Sequence, residues 1–430
     1  MRTFFHKLRG IPSPLPLIFI ITTTVLLILY GRGYRPDFTK NPQLKPTGLL
    51  STTSDPVGSQ VYVNGELKTA TDNTINLDPG WYTIKIAKEG FIPWQKELRL
   101  QGEVVTRTDA FLFPTSPSLS PITTVGIEKP LLSPDGTKIA YIIPKSDDTV
   151  TKKAGLWVYE LVEHPLGFNR DPKQLGTFEP LFNFSNSNIV WSPDSQQILV
   201  DAGSSVRLYT TSKANDFQDI SANSTFILVD WQEERILKEK QKLAAFKQPV
   251  INTATSSAKI IAFSPDETKF LYEATASAVM PSVLIPPLIG TNPTEEKRKI
   301  EPGKLYVYDS REDKNYFVLD KKELEQLTPS PTASPKNKSV LPSPSPSQLA
   351  TGYKLPSNIY WFPTNRHLVL TLPGKIDIME YDRTNWVTVY SGPFIDGFIA
   401  PWPNGSRIIV LTNLNPGVAR LPNLYTVNLR

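Results

Sequence analysis

Three carboxylates, Asp135, Asp194 and Asp266, stand in identical Ser-Pro-Asp triplets. Spaced acids of this kind can hold calcium or serve as the paired acid and base of glycoside hydrolysis. A catalytic pair needs two special carboxylates, however, and here there is one per repeat. An Asp in such a turn accepts from backbone N–H groups two residues on, so the recurrence points to turn capping. The histidines are His6, His164 and His367. His6 precedes an apolar run, His164 follows Glu163 in a loop, and His367 takes the place of Lys138 and Lys269 in the better repeats. The last two read as solvent-facing turn residues. The chain has no Gly-x-Ser-x-Gly elbow, Gly-rich phosphate loop, His-Glu-x-x-His pair or calcium-loop pattern. It has no cysteine, which excludes disulfides, thiolate metal sites and cysteine nucleophiles. The sequence nominates no catalytic, cofactor-binding or metal-ligating residue, and no cofactor.

The elements around these acids recur. Residues 132–141, 191–200 and 263–272 are near-copies of one phrase, a Ser-Pro-Asp turn followed by an apolar strand, and 361–370 and 401–410 are degenerate copies. A second strand follows each turn phrase, at 156–161, 206–209, 304–309, 375–379 and 423–427. Strand, turn, strand, loop, strand is most of a four-stranded blade, so spaced copies imply a β-propeller over residues 122–430. Five blades are visible. Closure calls for a sixth, assembled from 226–260 or from both ends of the region. The aromatic or Leu before Ser-Pro is placed to pack between blades, and the eight tryptophans read mostly as core. Three inserts interrupt the pattern: a charged helical stretch at 231–247 with Ile236, Leu243 and Phe246 on one side, a Pro-rich then charged stretch at 279–303, and a Pro/Ser/Thr loop at 326–350 expected to be disordered. That loop reads as a tolerated surface excursion rather than a glycosylated or partner-binding arm.

Before the repeats, residues 45–114 read as a small β-sandwich or barrel. Asn64-Gly65 suits a type I′ hairpin turn, and 78–80 is a second turn. Tyr82, Ile84 and Ile86 alternate with Thr83 and Lys85 across the two faces of a strand. Residues 115–121 have linker composition.

The composition gives a fold class but few partners. The 46 basic and 41 acidic side chains leave a diffuse net charge of +5, which argues against nucleic acid. The 40 prolines disfavour a mainly helical protein. Arg2, Lys7 and Arg9 precede a charge-free run from Ile11 to Tyr30, about long enough to cross a hydrocarbon core. The run ends without an Ala-x-Ala-like site, which favours an uncleaved anchor over a signal peptide. The expected layout is a cytoplasmic tail at 1–10, a transmembrane anchor at 11–31, a juxtamembrane linker at 32–44, and all folded domains outside a plasma membrane crossed once.

Two resemblances add to this reading. Residues 48–51, the corner at 56–59, the strand and turn at 61–65, the Leu77-Asp-Pro-Gly-Trp-Tyr82 hairpin, and 88–91 with Trp94 resemble the PEGA domain, with Val57 and Ser59 departing from its name-giving corner. That resemblance implies an extracytoplasmic β module without catalytic residues. The Ser-Pro-Asp repeats resemble those of WD-like propellers in the Tol system and in propeller-bearing peptidases. The combined expectation is an all-β, membrane-anchored binding or scaffold protein. Its partners would be membrane lipid through the N-terminal helix and an envelope protein, peptide or glycan through the domains. The rival is a propeller hydrolase, lyase or cyclase with its site in the central funnel.

Overall fold

The computed structural model describes residues 15–31, 34–37, 43–145, 151–163, 171–327, 358–415 and 420–430. The expected tail at 1–10, His6, His164 and residues 328–350 of the expected disordered loop lie outside them. The chain divides into two compact units, residues 1–112 with 288–294, and residues 113–287 with 295–430.

The first unit begins with α1 (Leu15–Gly31), a 17-residue helix with no buried side chain. Among the described residues no helix is long and apolar enough to cross a membrane. Part of the expected linker is a ribbon instead: β1 (Tyr34–Asp37) pairs antiparallel with β2 (Gln43–Pro46). A sandwich of two sheets follows. One holds β3 (Gly48–Asp55) between β6 (Asn73–Leu77) and β9 (Val105–Phe111). The other runs β5 (Glu66–Ala70), β4 (Gln60–Val63), β7 (Gly80–Ala87), β8 (Trp94–Leu100). Alternation puts Val61, Val63, Ile84, Ile86, Leu98 and Leu100 on the inner face, packed against Leu50 and Ala110. Asn64 (φ 50°) and Gly65 (φ 86°) take the left-handed conformations that the I′ turn requires.

The second unit contains five four-stranded antiparallel sheets. Blade 1 is Glu128–Leu132, Lys138–Ile143, Gly155–Glu160 and Lys173–Thr177. Blade 2 is Asn188–Trp191, Gln197–Asp201, Val206–Thr210 and Phe217–Asp219. Blade 3 is Ala258–Phe263, Lys269–Ala274, Lys304–Asp309 and Lys314–Asp320, and blade 4 is Ile359–Trp361, His367–Leu372, Lys375–Glu380 and Val387–Ser391. Blade 5 takes Ile399–Pro401, Arg407–Thr412 and Asn423–Asn428 from the C-terminal end and Leu119–Pro121 from before blade 1. Leu119–Pro121 falls in the expected linker. Its ladder to Asn423–Asn428 joins the two ends of the unit, and the Asn423 carboxamide oxygen accepts from Thr123 Oγ1 (3.0 Å) and Gly126 N–H (2.9 Å).

Among the described residues there is no sixth blade. Residues 226–260, one of the two expected sources, form α2 (Ser224–Ala244) and α3 (Gln248–Ser257) before blade 3 begins, and the two ends of the region, the other source, pair within blade 5. Helix formers such as Glu, Lys, Leu and Gln dominate α2, and Pro249 lies in the first turn of α3, where a missing N–H costs nothing. Apolar side chains join blade 5 to blade 1, blade 1 to blade 2, and blade 3 to blade 4. The other face of blade 2 (Val190, Leu199, Val206) packs on Trp231, Ile227 and Leu228 of α2. The other face of blade 3 (Phe270, Tyr272, Tyr308) packs on Val250 and Ala254 of α3 and on Phe246. The two helices fill the position that a further blade would take.

Candidate functional site

Each Ser-Pro-Asp turn is a closed hydrogen-bond circuit. The Asp Oδ1 accepts from the Ser Oγ two residues earlier, at 2.5 Å for Asp135 and Asp194 and 2.7 Å for Asp266. It also accepts from the backbone N–H two residues later, of Thr137, Gln196 or Thr268. The Ser Oγ accepts in turn from the N–H of Lys138, Gln197 or Lys269. Burial works to raise the Asp135 and Asp266 carboxyls, but the Ser and Thr hydrogen bonds outweigh it and hold both below the usual carboxylate range. For Asp194 the Ser192 hydroxyl is the main cause of the same direction. These are capping groups already engaged on both oxygens or on adjacent N–H donors.

Ser195, which follows Asp194, and Asn365, at the equivalent place in the degenerate copy 361–370, link neighbouring blades. Ser195 Oγ accepts from the Asp135 N–H (3.1 Å), and Asn365 Oδ1 from the Asp266 N–H (2.8 Å). Trp191 and Trp361 donate their indole N–H to the Leu131 and Ala262 carbonyls of the neighbouring blades. Between blades 2 and 3 the pattern changes. Lys238 of α2 donates to the Pro193 carbonyl (3.1 Å), and Lys242 pairs with Glu267 (3.0 Å). The helix takes over the turn-to-turn contact.

His367 departs from the sequence reading. It is 2 % exposed, bonded through Nδ1 to Thr364 Oγ1 (2.7 Å), and set edge-on to the rings of Phe113 and Phe362. The equivalent lysines explain why: Lys138 reaches the Ser195 carbonyl (3.1 Å), and buried Lys269 lies 3.5 Å from Asp309, whose other contacts include the Tyr381 hydroxyl. This position points into the space between blades, not to solvent. Trp81 departs the other way and is 56 % exposed, while Trp94, Trp191, Trp231, Trp361 and Trp402 are buried.

This unit holds a cavity of about 950 Å³. Its walls are the first strands of blades 1, 2 and 3 (Leu131, Ile189, Val190, Ile260, Ile261) and one side of α2 (Ile236, Leu243). Around these lie Arg235, Lys238, Lys240 and Lys242, against only two acids, Glu239 and Asp135. Lys238 and Lys242 are tied down as above, and Arg235 Nε donates to the Trp231 carbonyl (3.2 Å). Lys240 is exposed. No histidine lines the cavity, and among the described residues no group of three metal-ligating side chains is assembled. The sequence marked 231–247 as a helical insert with Ile236, Leu243 and Phe246 on one side. Ile236 and Leu243 line the cavity, and Leu243 also packs against the cluster in which Phe246 is buried with Phe263 and Phe270. That α2 walls a cavity was not legible. Its one signal was an amphipathic segment between two complete repeats.

Comparisons with known proteins bear on the two units differently. Residues 47–115 match the PEGA domain family. The PEGA match covers the sandwich, where Leu77 to Tyr82 form the end of β6, the turn and the start of β7. No curated protein matches the chain. Among solved structures it is similar to TolB from Acinetobacter baumannii, at 13% identity over 81% of this chain and 59% of that one, with a TM-score of 0.18. It is also similar to the Cps50 (Swd1) β-propeller domain of Myceliophteria thermophila, at 9% identity over 73% of this chain and 100% of that one, with a TM-score of 0.25. Oligogalacturonate lyase in complex with manganese is a third, at 10% identity over 73% of this chain and 93% of that one, with a TM-score of 0.23. At these values nothing about activity carries over, and the propeller rests on its own strand pairing.

Proposed function

We propose that this chain is a membrane-anchored, extracytoplasmic binding or scaffold protein whose propeller receives an apolar, acidic segment of a partner protein in the cavity beneath α2. The observation that carries the reading is the cavity itself, with apolar strand walls, a surplus of lysine and arginine, and no converging pair of free acids. Such a lining gains from burying apolar side chains and from pairing with carboxylates. A glycan needs many hydrogen-bonding groups, which these walls lack, so the peptide is the better fit of the expected partners. A propeller hydrolase, lyase or cyclase would need His or paired carboxylates on the same inner strands.

Support for the anchor comes from α1 and the residues before it. The charge-free run reaches back to Ile11, and a helix over it would span about 30 Å, the thickness of a hydrocarbon core. Thr23 and Thr24 return their hydroxyls to the Phe19 and Ile20 carbonyls (2.8 and 2.7 Å), which spares lipid two open polar groups. The test of the binding reading is a benzophenone amino acid placed at position 236 in the full chain and photolysed in envelope membranes. A discrete adduct at 236 that is absent at exposed Leu181 supports it, and equal labelling at both positions rejects it.

A further inference from the structure

The anchor-side end of the PEGA unit is itself built as a lipid-contacting surface. We infer that Trp81, Val105, Leu288 and Ile289 lie in the headgroup layer of the membrane that holds α1; this rests on the anchor reading above. Tyr34 is only three positions after Gly31, at the end of α1, so it lies within about 11 Å of the helix end. Tyr34 is paired with Pro46 across the β1–β2 ribbon, and its hydroxyl donates to Glu103 Oε1 (2.5 Å). Glu103 N–H donates to the Thr47 carbonyl (3.1 Å), and Gly102 is so close to Pro46 and Pro79 that a Cβ there would lie 3.0 and 3.6 Å from them. Gly290 packs against Val104 in the same way, at 2.7 Å for such a Cβ. These contacts gather the starts of β3, β7 and β9 with residues 288–290 at one end of the sandwich, beside the exit of α1.

That end is unusual in what it leaves uncovered. Ile289 is 69 % exposed, Trp81 56 %, Leu288 50 % and Val105 48 %. Exposed apolar side chains at one end of a domain, beside a membrane exit, have one natural solvent, the boundary between acyl chains and headgroups. An indole prefers that boundary. The flanking sequence adds Arg32, Arg35, Lys40 and Lys45 against a single acid, Asp37, a balance that suits anionic lipid. The opposite end, where β3 finishes and Val57 follows, lies about 25 Å away along the strand. Val57 there is exposed too, but its carbonyl is held by Lys88 Nζ (2.8 Å) and no anchor is near it.

Because the chain lacks cysteine, single-cysteine labelling reads depth cleanly. The full chain is reconstituted in vesicles of mixed zwitterionic and anionic phospholipid, with a nitroxide at Phe19→Cys, Ile289→Cys or Val57→Cys in turn. Accessibility to oxygen and to a water-soluble nickel chelate is then measured. The expected result is Phe19 deep in lipid, Ile289 at headgroup depth with nickel accessibility several-fold below that of Val57, and Val57 in water. Trp81→Cys should repeat the Ile289 result, which guards against a label that merely displaces its loop. If Phe19 is in lipid but Ile289 and Trp81 are as water-accessible as Val57, this surface is wrong and the anchor stands. If Val57 is as shielded as Ile289, the inference is also overturned. If Phe19 is in water, the anchor reading fails and this surface fails with it.

Discussion

The bonds that close each Ser-Pro-Asp turn are local. The Asp accepts from positions two residues away on either side, and the Ser from five residues on. Replacing Asp266 with Ala should cost about 1 kcal/mol, the usual worth of such a cap, measured as a lower urea midpoint at an unchanged slope. The pH dependence follows from the direction of the shifts. All three acids are held below their ordinary values in the folded chain, so their contribution is complete above the unfolded carboxyl value of about 4. It is lost as pH falls through the folded values. Asp→Asn at all three turns should therefore flatten the acid limb of the stability profile below about pH 4. The position that His367 and Lys269 share was not legible, since Lys269 meets Asp309 and Lys138 meets Ser195 across neighbouring strands and blades. A solvent-facing histidine changes stability by less than about 0.5 kcal/mol when replaced. Buried among Phe113, Phe362 and Thr364, His367→Ala should instead cost about 2–3 kcal/mol in a chemical-denaturation series.

Among the elements, strands were easier to read than helices. An apolar run after a Pro-bearing turn has few alternatives, and the repeated phrases each became the first hairpin of a blade. The stretch 226–260 was one of two places open to a sixth blade, and its second half, with Val250, Ile251, Thr253 and Thr255, is rich in β-branched residues that favour strand. Tertiary packing decided otherwise. Val250 and Ala254, one helical turn apart, are buried against Phe270 and Tyr272, while Thr255 returns its hydroxyl to the Ile251 carbonyl. The single buried side chain of α2, Trp231, holds the helix on blade 2. Trp231→Ala should cost about 3 kcal/mol. Hydrogen exchange should show amides of 224–244 opening while those of blades 1 and 4 keep their protection. Uniform loss of protection would mean that α2 belongs to the same cooperative unit as the blades.

For the whole molecule, the number of blades and the closure depended on three residues with linker composition. Leu119–Pro121 carries two potential breakers of strand reading, a Ser and a Pro, yet the edge of blade 5 accepts it because Pro is tolerated on an outer strand. Converting 119–121 to glycines should lower the melting temperature without splitting the transition, since the ladder that joins the two ends of the unit is weakened as a whole. The PEGA sandwich was legible for the opposite reason: its hairpin turns and alternating strands are mostly neighbours in sequence, and only the parallel β3–β9 pairing joins distant segments. What no sequence pattern exposed was the cavity, assembled from strands of three blades and a helix. Its role is tested most directly by comparing benzophenone adducts from position 236 in the native full chain and in an Ile189→Trp background that fills the cavity. The account expects the adduct to vanish in the filled background while the melting temperature stays within a few degrees. An undiminished adduct would place the partner elsewhere and contradict it.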